Sequence, residues 1–170
     1  MPAFLERVRG MSHAQATVTF GLIALGTGIV GTLFGGWLGD RLLRRTKQSY
    51  LWVSAISTLA AAPVAYLALT SPNRAVFLPA IALSEVLIFM CTGPVNSAIV
   101  TLVSPGERAT AVGLSIFLLH LFGDIPSPPL IGYLSDRSSL EHAFLIVPLA
   151  IVLAGVIWMI AARLRDPVSS

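Results

Sequence analysis

The chain has 170 residues, of which 55% are hydrophobic and 11% charged, with a formal net charge of +3. A soluble domain carries about twice that share of charge, so the composition excludes an ordinary water-exposed surface around a single core, and the small net charge gives nucleic-acid binding no footing. The lone cysteine, Cys91, lies inside an apolar run, which excludes an intrachain disulfide and a cysteine-based metal site.

Residues 1–16, MPAFLERVRGMSHAQA, are too polar for a cleaved leader and precede the first long apolar run. That run is 17–39, rich in glycine. Gly31, Gly35 and Gly39 stand four apart, with Gly21 and Gly28 close to the same helix face. Small residues at this spacing let helix backbones approach closely, by tight packing or as a hinge. A basic connection, 40–49, carries Arg41, Arg44, Arg45 and Lys47. The second run is 50–70. The third is 75–103, interrupted at Gly93-Pro94. The fourth is 108–134, with His120, Asp124 and three prolines, and the fifth is 142–163, leaving a short tail at 164–170.

About 20 helical residues at ~1.5 Å each cross a ~30 Å hydrocarbon layer. Every run is long enough, and none alternates as a barrel strand would. The predicted fold is therefore all-α: a polytopic membrane helix bundle with five transmembrane helices, in contact with membrane lipid. The basic residues then set orientation. With the 40–49 loop in the cytoplasm, Arg41, Arg44, Arg45, Lys47, Arg108, Arg163 and Arg165 fall inside, seven in number, against four outside: Arg7, Arg9, Arg74 and Arg137.

One signature occurs twice. GWLGDR (36–41) ends the first run on the predicted inner side. GYLSDR (132–137) ends the fourth on the predicted outer side. A motif that changes sides after three spans is what an inverted three-helix repeat produces, as in secondary transporter halves.

Gly-x-Leu-x-Asp-Arg followed by basic residues resembles the loop signature of the major facilitator superfamily. One departure is Leu43, where the family pattern often has glycine. The fourth run resembles the penultimate helix of the Spinster branch. Its Arg-x-x-Ala start is Arg108 and Ala111, its His-x-x-Gly-Asp is His120, Gly123 and Asp124, and Ser127, Pro128, Ile131, Gly132, Ser135 and Asp136 complete it. The segments FLERVRGMSHAQA, FGLIALGTGIVGTLFGGWLGDRL and GPVNSAIVTLVSP are similar to that branch as well. The resemblance implies that the five spans correspond to helices 8–12 of a twelve-helix fold. Residues 1–16 are then the tail of helix 7 with an extracytoplasmic loop, and the partner is a missing N-terminal six-helix half. It further implies alternating access, possible proton coupling and a small organic or lipid-like solute as cargo, because animal members carry lysolipids. The location implied is an integral membrane protein of a bacterial inner membrane.

Ionisable groups inside spans are the candidate site residues, since a charge at bilayer depth costs at least ~2.5 kcal/mol and faces a cavity or a partner. His120 and Asp124, four apart, share a helix face that Ser127 extends. They form either part of a substrate or proton pathway, or a structural pair in which Asp124 meets backbone groups freed by Pro126, Pro128 and Pro129. Glu85, Thr92 and Asn96 stand at i, i+7 and i+11, a second polar face. Glu85 is a pathway group or a tethered structural carboxylate. Asp40, Arg41, Arg44, Arg45 and Arg108 are candidates for a cytoplasmic gate, or for topology determinants alone. His13 and His142 read as solvated loop residues.

The sequence has no His-Glu-x-x-His, Gly-x-Ser-x-Gly or phosphate-binding Gly-x-x-x-x-Gly-Lys pattern. The expectation is a transporter half without catalytic residues, metal or cofactor. The rivals are half of a facilitator from another branch, carrying sugar acids or drugs, and a non-transporting membrane subunit or inactive truncated fragment.

Overall fold

The computed structural model describes residues 1–164, so Arg165 and the rest of the predicted tail lie outside the described residues. Nine α-helices follow in order among the described residues, and there is no strand: α1 Pro2–Arg7, α2 His13–Leu42, α3 Ser49–Thr70, α4 Arg74–Phe89, α5 Thr92–Leu102, α6 Arg108–Leu119, α7 Ser127–Arg137, α8 Leu140–Phe144 and α9 Ile146–Leu164. They make five helical stretches long and apolar enough to cross a membrane: His13–Leu42, Ser49–Thr70, Arg74–Leu102, Pro105–Arg137 and Leu140–Leu164. The protein is an all-α, polytopic membrane helix bundle.

The chain forms two compact units. One is Met1–Phe20 with Ile99–Ile146; the other is Gly21–Ala98 with the stretch from Val147 onward.

In the second unit, α3 is the most buried of the membrane-length helices. Its buried positions are mostly small: Ser54, Ala55, Ser57, Thr58, Ala61, Ala62, Ala65 and Ala68. Small side chains let neighbouring helices come close where lipid gives no hydrophobic drive for association. α4 packs along α3, and Gly155 of α9 lies so near Leu59 that a methyl at 155 would stand 2.6 Å from the Leu59 Cγ.

The glycine row of α2 does the same work against the third span. A methyl at Gly31 would lie 2.6 Å from the Val86 carbonyl oxygen and 2.7 Å from the Phe89 Cβ. A methyl at Gly35 would overlap the Met90 carbonyl group, and one at Gly39 would meet the Tyr50 ring at 2.7 Å. Gly28 has room for a methyl in ordinary contact with the Phe89 ring, and Gly21 is open.

The third span breaks at Met90–Cys91, ahead of the Gly93-Pro94 pair marked in the sequence. The cause is Pro94. It is buried and has no N–H, so the carbonyl four residues back, that of Met90, has no helical donor. That carbonyl faces Gly35. Gly93 answers from the other side: a methyl there would sit 2.7 Å from the Thr32 carbonyl oxygen. Backbone meets backbone in both directions.

In the first unit, the Phe4 ring of α1 packs on Phe144 of α8, with centroids 5.1 Å apart. The Arg9 guanidinium lies over the other part of Phe4, 5.1 Å from its centroid. Gly10, at φ +68, turns the chain toward α2 in a conformation that side chains resist. α7 packs on α8. Between α6 and α7 lies a single π-helical turn, His120–Asp124, closed by the Ile125 N–H donating to the His120 carbonyl at 3.0 Å. Pro128 and Pro129 follow at the start of α7, where a missing N–H is tolerated.

Candidate functional site

Glu85 stands on α4 where α2 approaches. Thr27 is buried on α2, one residue from Gly28 and four from Gly31, so the short threonine reaches across. Its hydroxyl donates to the Glu85 carboxylate at 2.9 Å. The same oxygen lies 2.8 Å from the Ile23 carbonyl and 3.3 Å from the Ala24 carbonyl, so one proton is shared among three acceptors. The sequence reading missed Thr27. Its signal was there: the single hydroxyl between glycines in LIALGTGIVG.

The predicted stripe of Glu85, Thr92 and Asn96 is split between two helices, Glu85 on α4 and Thr92 and Asn96 on α5. The break at Met90–Cys91 interrupts the helical register. Glu85 is half-buried and turned to α2, whereas Thr92 and Asn96 are exposed on α5.

His120 and Asp124 do come together. The His120 Nδ1 meets the Asp124 carboxylate across the π-helical turn. An Nδ1–H held by a carboxylate leaves Nε2 to accept a proton or, once charged, to donate. The Ser127 hydroxyl donates to the Gly123 carbonyl. The structural role weighed for Asp124 has a chemical obstacle. Prolines free carbonyls, which need donors, and a carboxylate supplies only acceptors. Pro105–Arg137 has no buried residue in its most apolar window. The His120 and Asp124 side chains are 59% and 64% exposed, so the pair is not covered by the packing of this chain. π-Helical turns concentrate at functional sites.

At the C-terminal end of α2, the Tyr50 hydroxyl donates to Asp40 at 2.8 Å. Tyr50 is the second residue of α3, so the Asp40 carboxylate reaches the first turn of that helix through it. Arg41 lies over the Trp37 ring, 5.6 Å from the centroid. Arg44 and Arg45 are exposed and line a cleft of about 310 Å³ with Trp37 and Arg41. Arg108 is exposed at the start of α6, in the other unit. The second signature repeats the motif's geometry: Arg137 lies over the Tyr133 ring at 4.2 Å. In both copies the arginine stacks on the aromatic residue one turn before it, at the end of a helix, which accounts for the shared Gly-aromatic-Leu-x-Asp-Arg pattern in physical terms.

His13 opens α2 and pairs with Glu6 at 2.9 Å. The His142 ring meets the Ser139 hydroxyl at 2.7 Å. Both are local partnerships beside loops.

The sequence profile of the Major Facilitator Superfamily matches residues 1–125. The chain belongs to this family. Among curated relatives, it is 35% identical to an "MFS-type efflux pump" of Mycolicibacterium smegmatis over 96% of this chain and 40% of that protein. It is 34% identical to "Probable sphingolipid transporter spinster homolog 3" of Arabidopsis thaliana, over 86% of this chain and 29% of the relative. It is 31% identical to "Protein spinster homolog 3" of Mus musculus, over 95% of this chain and 34% of the relative. The chain is thus Spinster-like, an integral membrane protein of a transporter family, and spans 40% or less of the length of these relatives.

Proposed function

We propose that the chain supplies helices 8–12 of a Spinster-like secondary transporter, whose first six-helix half is its partner, in a bacterial inner membrane. Cargo is a small organic or lipid-like solute, moved by alternating access of the two halves around a midplane site. The observation that carries this reading is the His120–Asp124 pair on a π-helical turn, left uncovered in a span with no buried residue in its most apolar window. Ionised groups facing acyl chains are costly, so this face fits a companion bundle and a wet pathway. Glu85, Asn96 and Ser127 are the further polar groups of the spans, and a His-Asp pair of this kind can carry the coupling proton. Asp40, Arg41, Arg44 and Arg45 at the end of α2, and Arg108 at the start of α6, are the gate candidates that meet the other half when the cytoplasmic side shuts. The name of the mycobacterial relative, an efflux pump, favours outward transport.

The test is uptake in inside-out vesicles that hold this chain together with a six-helix first half. Asp124→Asn should cut uptake far more than it cuts membrane expression. Unchanged uptake at equal expression would return the His120–Asp124 pair to a structural role.

A further inference from the structure

The C-terminal end of α2 has a second feature besides the gate candidates. The cleft of about 310 Å³ is lined by Trp37, Leu38, Arg41, Leu42, Arg44 and Arg45. Three arginine side chains therefore border one small concavity. Asp40 is the one acidic residue between Arg7 and Ser84, and its carboxylate already accepts the Tyr50 hydroxyl. Among the described residues, the recorded ion pairs are His13–Glu6 and His120–Asp124, and none of them involves these arginines.

The cleft continues into an apolar track. Val30, Leu33, Phe34 and Trp37 stand at i, i+3, i+4 and i+7 on α2, and they are between 48% and 69% exposed. Phe34 and Trp37 stack, with centroids 5.6 Å apart and planes inclined by 25°. Arg41 extends the same face, and Arg44 follows in the turn just past the end of α2 at Leu42. Tryptophan marks the depth of the headgroups, and arginine the water side of it. The helix thus presents, in order, a bare apolar stripe, an interfacial indole and a basic concavity.

We propose that this surface binds one anionic phospholipid, its phosphate among Arg41, Arg44 and Arg45 and its acyl chains along Val30, Leu33 and Phe34. Charge complementarity selects an anion, and the stripe selects one that carries tails. A soluble phosphate would use the cleft and leave the stripe bare. Basic pockets beside membrane helices take up anionic lipid headgroups. Such binding does not require that the chain transport anything.

The test is native mass spectrometry of the purified chain in detergent, titrated with phosphatidylglycerol or phosphatidylcholine of identical acyl chains. Phosphatidylglycerol adducts should predominate. The double variant Arg44→Gln/Arg45→Gln should weaken them about tenfold or more, while Arg163→Gln, at the end of α9, should leave them intact. Inorganic phosphate at equal concentration should fail to displace the lipid. Equal binding of the two lipids, retention in the double variant, or displacement by phosphate alone would each overturn the proposal. A second readout does not depend on the double variant folding. In a Trp52→Phe/Trp158→Phe background, Trp37 fluorescence should be quenched more by brominated phosphatidylglycerol than by brominated phosphatidylcholine. Equal quenching contradicts the assignment.

Discussion

Gly35 and Gly36 are neighbours on one helix, yet a methyl added to each meets different surroundings. At Gly36 there is nothing within 4 Å. At Gly35 the methyl would overlap the Met90 carbonyl, with the carbonyl carbon at 2.6 Å and the Cα at 2.7 Å. Both changes gain the same helix propensity, about 1 kcal/mol for alanine over glycine. Only Gly35→Ala must also push α2 away from the break in the third span. Ordinary carbon contacts lie at about 3.5–4.0 Å, so the backbones must part by roughly an ångström. Nothing flexible is available to yield, because the atoms met are main chain. Overpacking of this kind costs about 1–3 kcal/mol. Gly35→Ala should therefore be less stable than Gly36→Ala by about 1–3 kcal/mol, with Gly36→Ala at or above the parent. Thermal unfolding of the purified chain in detergent, followed by circular dichroism, measures the difference. If the two variants unfold together, the close approach of α2 to Met90 is not the packing that holds this unit.

Two further outcomes can be checked. Thr27→Val leaves the Glu85 carboxylate without the hydroxyl that reaches it, and should cost about 1–2 kcal/mol. In a Glu85→Leu background the same change should cost much less, and equal costs in both backgrounds would mean that the hydrogen bond contributes nothing. In a Cys91→Ser background, impermeant thiol reagents should label Thr46→Cys from the cytoplasmic face and Asn73→Cys from the opposite face; the reverse pattern ends the proposed orientation.

Much of the fold was legible because lipid simplifies the code. Five runs of apolar residues and short basic connections fix helix number without any need to know the packing partners. The glycine spacing of α2 announced close approach, and the structure gives that row its partners: Val86, Phe89, Met90 and Tyr50. The two signatures were legible as a repeat, but not as stacks of arginine on Trp37 and Tyr133, because a motif states spacing and leaves the pairing within it unstated. The site was harder to read. His120 and Asp124 stand four apart, which suffices for a local pair. Glu85 was placed with Thr92 and Asn96 by counting through a helix that in fact stops at Met90. The missing step was to ask which carbonyl Pro94 leaves without a donor, not where the proline itself sits. Thr27 could not be assigned to Glu85 by counting at all, since 58 residues separate them.

The junction at Met90 has a further consequence. α4 and α5 are coupled through two residues, and each half rests on a stretch of α2 that carries no side chain at the point of touch. Interlocked side chains act as ratchet teeth, holding helices at discrete settings. Bare main chain acts as a smooth bearing. Small changes in the angle between the two parts of that span would then need torsion at Met90 and Cys91, with the Thr27–Glu85 hydrogen bond further along α2 as the side-chain link that must follow.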